Sequence, residues 1–207
     1  MTQARWLNAV MMMATVCAFA PALRAQETVV RLDPAQTRVA FTLAATMHTV
    51  HGTLRLQSGE IRWDLATGKA SGAVIVDATS GQTGNGGRDR KMHSEVLESA
   101  NFPEIVFLPN QVKASANFTG ILQGAQQAPS QGEISGVFRL HGRDHEMTLI
   151  VAIQPEVGGQ LTASTKFSVP YVQWGLKNPS TFLLRVSETL ELDIHAAARL
   201  GPTLAAR

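Results

Sequence analysis

Apolar residues recur at every second position through most of this chain, and that period limits what it can fold into. Val39, Phe41, Leu43 and Ala45 alternate with Ala40, Thr42, Ala44 and Thr46. Ile61, Trp63 and Leu65 form a second set, and Val74 and Val76 a third. Ile134, Gly136, Phe138 and Leu140 are in phase, as are Met147, Leu149, Val151 and Ile153, then Leu161, Ala163, Thr165 and Phe167. The last long run is Leu184, Val186, Glu188, Leu190, Leu192 and Ile194. Successive side chains of a strand point to opposite faces, so such runs read as strands with one apolar face. Ser58-Gly59, Thr67-Gly68, Pro109-Asn110, Gly158-Gly159 and Asn178-Pro179 punctuate them. Many short strands at this spacing predict an antiparallel sandwich or barrel.

One segment departs from the period. From Arg88 to Leu97, Met92, Val96 and Leu97 fall at helical spacing with no Gly or Pro inside, which predicts one short helix. The glycine-rich stretch before it, QTGNGG, invites a phosphate-loop reading. No Gly-Lys-Ser/Thr follows, and Gly81, Gly84, Gly86 and Gly87 lack the dinucleotide spacing. The flanking strands alternate, whereas the parallel strands of nucleotide folds are buried on both faces. The glycines therefore read as a turn leading into a helix.

The first 25 residues have a different character. Arg5 is followed by an apolar stretch from Trp6 to Phe19, then by small residues, in the layout of a secretory signal peptide. Cleavage after Ala22 or Ala25 fits that layout. The only cysteine, Cys17, leaves with this segment, so the mature chain has no disulfide. Arg5 and Arg24 leave too, which takes the formal net charge from +2 to about zero. The sequence pI of 9.0 is then no argument for nucleic acid or an anionic membrane. The expected organisation is a signal peptide over residues 1–25, one domain over 26–198, and a disordered tail over 199–207.

Candidate chemistry is sparse. His48 and His51 are three apart, and on a strand they point to opposite faces. His141 and His145 flank Gly142-Arg143-Asp144 without a close third ligand, and a zinc site needs three or four. No Gly-x-Ser-x-Gly elbow is present. Asp89, Glu95 and Glu98 near His93 read as the solvated face of a short helix. Glu188 falls in phase with apolar neighbours; either a bulge turns it outward, or it meets a partner inside, because a buried unpaired carboxylate is costly.

The motifs, in order, resemble the YceI-like family of polyisoprenoid-binding, lipocalin-like periplasmic proteins. ATMHTVHGTLR resembles an early His-x2-His/Gly element. GNGGRDRKMHSEVLESANFPEIVF resembles the central Arg-Asp segment, helix and Phe-Pro strand. ISGVFRLHGRDHEMTLIV resembles a later hairpin, and VQWGLKNPSTFLLRVSETLELDI the closing strands. Tyr171-Val172-Gln173-Trp174-Gly175 departs from the Arg-x-x-Phe-Gly of many relatives.

The resemblance implies an all-β fold: an antiparallel, lipocalin-like barrel of about eight strands with one short helix. It also implies an apolar tube for an isoprenoid-type, quinone-related or fatty-chain lipid, in a periplasmic or secreted protein that is not an enzyme. Expected lipid-binding residues are Phe41, Leu43, Trp63, Val74, Val76, Met92, Val96, Phe107, Phe138, Leu140, Leu149 and Val151. No catalytic residue, metal or cofactor is expected beyond the bound lipid, nor a nucleic-acid partner. Transient contact with a membrane or membrane protein fits a carrier, and an open edge strand or barrel mouth would permit a homodimer. Two alternatives stay open: a histidine-dependent metal or redox enzyme, and a structural barrel filled by its own side chains.

Overall fold

Where one face of each strand is apolar, closing the sheet on itself buries that face and removes the open edges. The computed structural model describes residues 26–46, 48–122, 128–201 and 204–205. The expected signal peptide lies outside them. In chain order the strands are β1 (Gln26–Leu32), β2 (Arg38–Ala44), β3 (Thr49–Asp64), β4 (Ala70–Gln82), β5 (Glu104–Ala114), β6 (Ser130–Leu140), β7 (Arg143–Pro155), β8 (Gln160–Val169), β9 (Leu190–Leu200) and the short β10 (Leu204–Ala205). All pairings are antiparallel, in the order β3-β2-β9-β8-β7-β6-β5-β4, and β4 returns to β3 to close a barrel.

The barrel has eight staves because β1 and β2 share one. β2 lies against the first half of β3, with Val39 opposite Leu54, and β1 against the second half, with Thr28 opposite Trp63. Both also pair with β9. Asp33-Pro34 makes the break. Proline offers no N–H to the ladder, and the Asp33 carboxylate accepts from Ala35 N (3.0 Å) and Gln36 Nε2 (2.8 Å) to hold a single 3-10 turn.

Three sequence expectations change here. Ser58-Gly59 and Pro109-Asn110 are not turns. They lie within β3 and β5, where the register shifts between Leu56 and Ser58 and between Pro109 and Gln111. Gly and Pro mark bulges as readily as turns, and a bulge bends a strand around a barrel. The run from Leu184 to Ile194 is not one strand either. β9 begins at Leu190, and only Val186 of the earlier part bridges to Ala45. Glu188 is exposed in the connecting loop, which rules out its inward placement. At the far end β9 runs through Leu200, and Leu204–Ala205 pair with Gln26–Glu27. The sheet thus continues past the point where a disordered tail was expected.

The expected helix forms. Its first part, α1 (Gly86–Lys91), is capped by Asn85, whose Oδ1 accepts from Gly87 N (3.1 Å) and Arg88 N (3.0 Å). It continues into a wide π turn, Met92–Val96. A second helix, α2 (Ala116–Leu122), falls where the sequence offered no alternation. Ser115 Oγ accepts from Phe118 N (3.1 Å), and Phe118, Ile121 and Leu122 are buried. Phe118 meets Trp63 edge-on at 5.8 Å, so α2 plugs one end of the barrel.

Candidate functional site

The inward faces of the staves do not fill the interior. Among the described residues they enclose two adjoining apolar chambers. The larger, of ≈ 470 Å³, lies at the end flanked by α1 and the 177–189 loop. The smaller, of ≈ 150 Å³, lies toward α2. The first falls in the usual size range of small-molecule sites, roughly 300–1,000 Å³. The second matches a dry apolar cavity able to take a group about the size of benzene. Val76, Ile105, Phe138 and Ile194 line both chambers and stand between them.

All twelve residues expected at the interior line these chambers. Phe41, Leu43, Met92, Val96 and Leu140 face the larger, and Trp63, Val74, Phe107, Leu149 and Val151 the smaller. Val76 and Phe138 face both. Alternation found the strand residues because a strand buries every second side chain. Other strand residues also line the chambers, among them Val39, Leu54, Ile105 and Ile194, and two further groups lie outside the strands. Tyr171, Leu176, Leu184 and Val186 come from loops; Leu184 and Val186 were in phase with β9 but precede it. Phe118 and Leu122 come from α2, where the capping Ser115 was the one available signal.

Some walls depend on close backbone approach. A Cβ at Gly52 would collide with Phe41 Cζ, so the Phe41 ring lies across that glycine and bounds the larger chamber there.

The larger chamber reaches solvent at a rim that includes the exposed His48, Gly87 and Thr181. Thr83, Arg88 and Lys91 stand on the same wall. Arg88 and Asp89 do not pair directly. Arg88 donates through Nε to Thr83 Oγ1 (2.7 Å) and through Nη2 to Thr83 O (3.0 Å). Asp89 Oδ1 accepts from Thr83 N (2.9 Å) and Thr83 Oγ1 (2.5 Å). Thr83 therefore clamps the corner, with Arg88 on one side and Asp89 on the other.

The histidines do not converge, and among the described residues no cluster of three potential metal ligands exists. His93 is held by Ser99 Oγ (2.9 Å) and Gly81 O (2.8 Å), which occupies both ring nitrogens. His141 Nε2 meets Glu98 Oε2 at 2.8 Å and its ring packs on Phe102. His145 instead stacks on Trp174 at 4.0 Å. His51 bonds Thr42 on the outer face.

Tyr171 is the only tyrosine in the chain and lines the larger chamber. Its hydroxyl donates to Ser187 O (2.7 Å). Burial, with the nearby Glu188 carboxylate, pushes its pKa up to about 12. The folded chain keeps this proton after the unfolded chain, near 10, has lost it. Stability from this group is thus complete below about pH 10 and lost between about pH 10 and 12, by roughly 1.4 kcal/mol per unit. Phenolate absorbance reports this one residue. We expect its midpoint well above that of free tyrosine, moving down on unfolding in denaturant. A normal midpoint in the folded protein would show the phenol to be solvated.

The profile of the YceI-like domain family matches residues 31–198. The chain belongs to the YceI-like domain family. Its fold is that of solved relatives at low identity. Burkholderia cenocepacia BcnA superposes with a TM-score of 0.62 at 12% identity, over 80% of this chain and 98% of that one. A polyisoprenoid binding domain from Saccharophagus degradans, implicated in plant cell wall breakdown, superposes with a TM-score of 0.64 at 15% identity, over 83% of this YceI-like chain and 98% of that one. No curated protein sequence matches significantly.

Proposed function

We propose that this YceI-like protein is a secreted or periplasmic carrier that sequesters an isoprenoid-type, quinone-related or fatty-chain amphiphile inside its barrel. The observation that carries this reading is the interior itself: two adjoining chambers walled almost wholly by apolar side chains, one open at a rim. The polyisoprenoid binding of the Saccharophagus degradans domain supports the ligand class, and the signal-like first 25 residues support the location. Each buried methylene contributes about 0.8 kcal/mol, so a long tail binds without any reacting group. Native mass spectrometry of the mature protein, before and after solvent extraction, tests the reading. A co-purifying apolar ligand, or uptake of one by the extracted protein, is expected. Failure to take up any long-chain lipid would overturn it.

Such a carrier has to reach its ligand in a membrane. Phe182 and Leu183 are 94% and 83% exposed at the tip of the loop whose base, Pro179, Thr181, Leu184 and Val186, lines the larger chamber. The base is pinned: Thr181 N donates to Leu184 O (2.8 Å), and Thr46 N donates to Arg185 O (2.9 Å). Arg185 flanks the tip on one side and Lys177, paired with Glu95 at 2.6 Å, on the other, and no carboxylate lies from 177 to 187. The tip is suited to insert into a lipid surface and place the rim against it. Replacing both residues by serine removes roughly 1.5–3 kcal/mol of apolar burial per side chain. Transfer of lipid from anionic vesicles should slow about tenfold or more, while affinity for a water-soluble short-chain lipid stays the same. Unchanged transfer would exclude the loop as the contact.

A further inference from the structure

We propose that the amphiphile carries an acidic head group, a carboxylate or a phosphate monoester, held at the rim by Arg88 and Lys91 with its tail directed into the barrel. This rests on the carrier reading and names the ligand class that reading leaves open.

The rim is charged on one side only. Among the residues lining the larger chamber there is no Asp or Glu, whereas Arg88 and Lys91 both line it. Two carboxylates on the same helix lie outside the chamber lining and have partners of their own, although Glu95 also feels the charge of Lys91. Asp89 is bound to Thr83, and Glu95 accepts from Lys177 Nζ at 2.6 Å.

The helix gives the site a direction. Arg88, Lys91, Met92 and Val96 fall three, four and eight residues apart and share its cavity-facing stripe. The stripe begins beside the exposed Gly87 with two cations and continues with two apolar side chains. Met92 approaches Leu54 in the barrel wall: a Cβ built at Gly81 would touch both, at 2.9 and 3.3 Å. Polar at the rim and apolar within is the pattern an amphiphile presents.

Arg88 is also pre-oriented. Thr83 fixes its Nε and Nη2, while Nη1 has no hydrogen-bond partner among the described residues. Lys91 Nζ makes one long contact, 3.4 Å to Pro179 O. Both side chains are half-buried. A partly desolvated cation with unused donors gains most from an anionic oxygen, because charge-assisted hydrogen bonds are about twice as strong as neutral ones. A hydroxyl or quinone head offers only neutral partners.

The test compares heads on identical tails. Solvent-extracted protein is titrated calorimetrically with palmitic acid and hexadecanol, and with farnesyl phosphate and farnesol. The expected result is that at least one acid binds about tenfold or more tightly than its alcohol at low salt, with the gap narrowing at high salt. Lys91→Gln and Arg88→Gln should lower affinity for the acid and leave the alcohol unchanged. Should Arg88→Gln disturb the Thr83 corner and unfold, Lys91→Glu decides by reversing the preference. A preference confined to the fatty acid, or to the phosphate, identifies the source within the same chemistry. Equal binding of acid and alcohol, or a preference that survives the Lys91 substitutions, would overturn the head-group inference and leave the carrier intact. No binding of any of the four lipids would overturn both.

Discussion

Phe138→Ala should join the two chambers and move the chain-length limit of the barrel upward. Phe138 lines both chambers, is 6% exposed, and meets Phe167 edge-on at 6.0 Å and Trp174 at 5.7 Å. Removing a buried phenylalanine ring costs about 3–5 kcal/mol. The low end applies here, since the ring already borders space on two sides and its neighbours lose fewer contacts. For a domain of this size that is a fall in Tm of roughly 6–12 °C. Binding should change in the opposite sense. Across a homologous series of fatty acids, affinity should rise by about 0.8 kcal/mol per methylene until the tail reaches the partition, then level off. In the variant the plateau should begin several carbons later, because the ≈ 150 Å³ chamber is now within reach. Melting and a chain-length titration measure the two effects. An unchanged plateau, with the fold intact, would mean that the tail already passes Val76, Ile105 and Ile194, or never reaches them.

Leu43→Trp should narrow the larger chamber without weakening the barrel. Leu43 is half-buried on β2, opposite Val50, and points into the ≈ 470 Å³ space. A larger ring there fills existing room, so the strain of overpacking a filled core does not arise. An indole that displaces three or four methylenes of a bound tail removes about 2.5–3 kcal/mol, close to a hundredfold in affinity. Tm of the ligand-free protein should hold or rise. Retained affinity for palmitic acid would show that the ligand does not occupy this part of the interior. A filled structural barrel would respond differently: the same substitution would have no room and would destabilise it.

Much of this was legible in the residues. Period two gave the staves, and it gave the inward set from Phe41 on β2 to Val151 on β7, because side-chain direction in a strand depends only on local geometry. The helix at Arg88–Leu97 was legible for the same reason at a different period. Ser58-Gly59 and Pro109-Asn110 misled, since the residues that permit a turn also permit a bulge, and only the opposing strand distinguishes them. Glu188 was in phase with its neighbours but outside any ladder. α2 was invisible because its apolar residues are few and its burial depends on Trp63, far away in the chain.

The sequence by itself thus determined that the chain would turn one apolar face inward in an antiparallel sandwich or barrel, and the pairing of β4 with β3 decided that the sheet closes. Only the tertiary structure decided what that interior is. The partition joins Val76 of β4, Ile105 of β5, Phe138 of β6 and Ile194 of β9. The rim sets Arg88 and Lys91 of the helix opposite Pro179 and Thr181 of a loop. These are meetings across the barrel between residues distant in the chain, fixed by strand register and closure, and no local period encodes them.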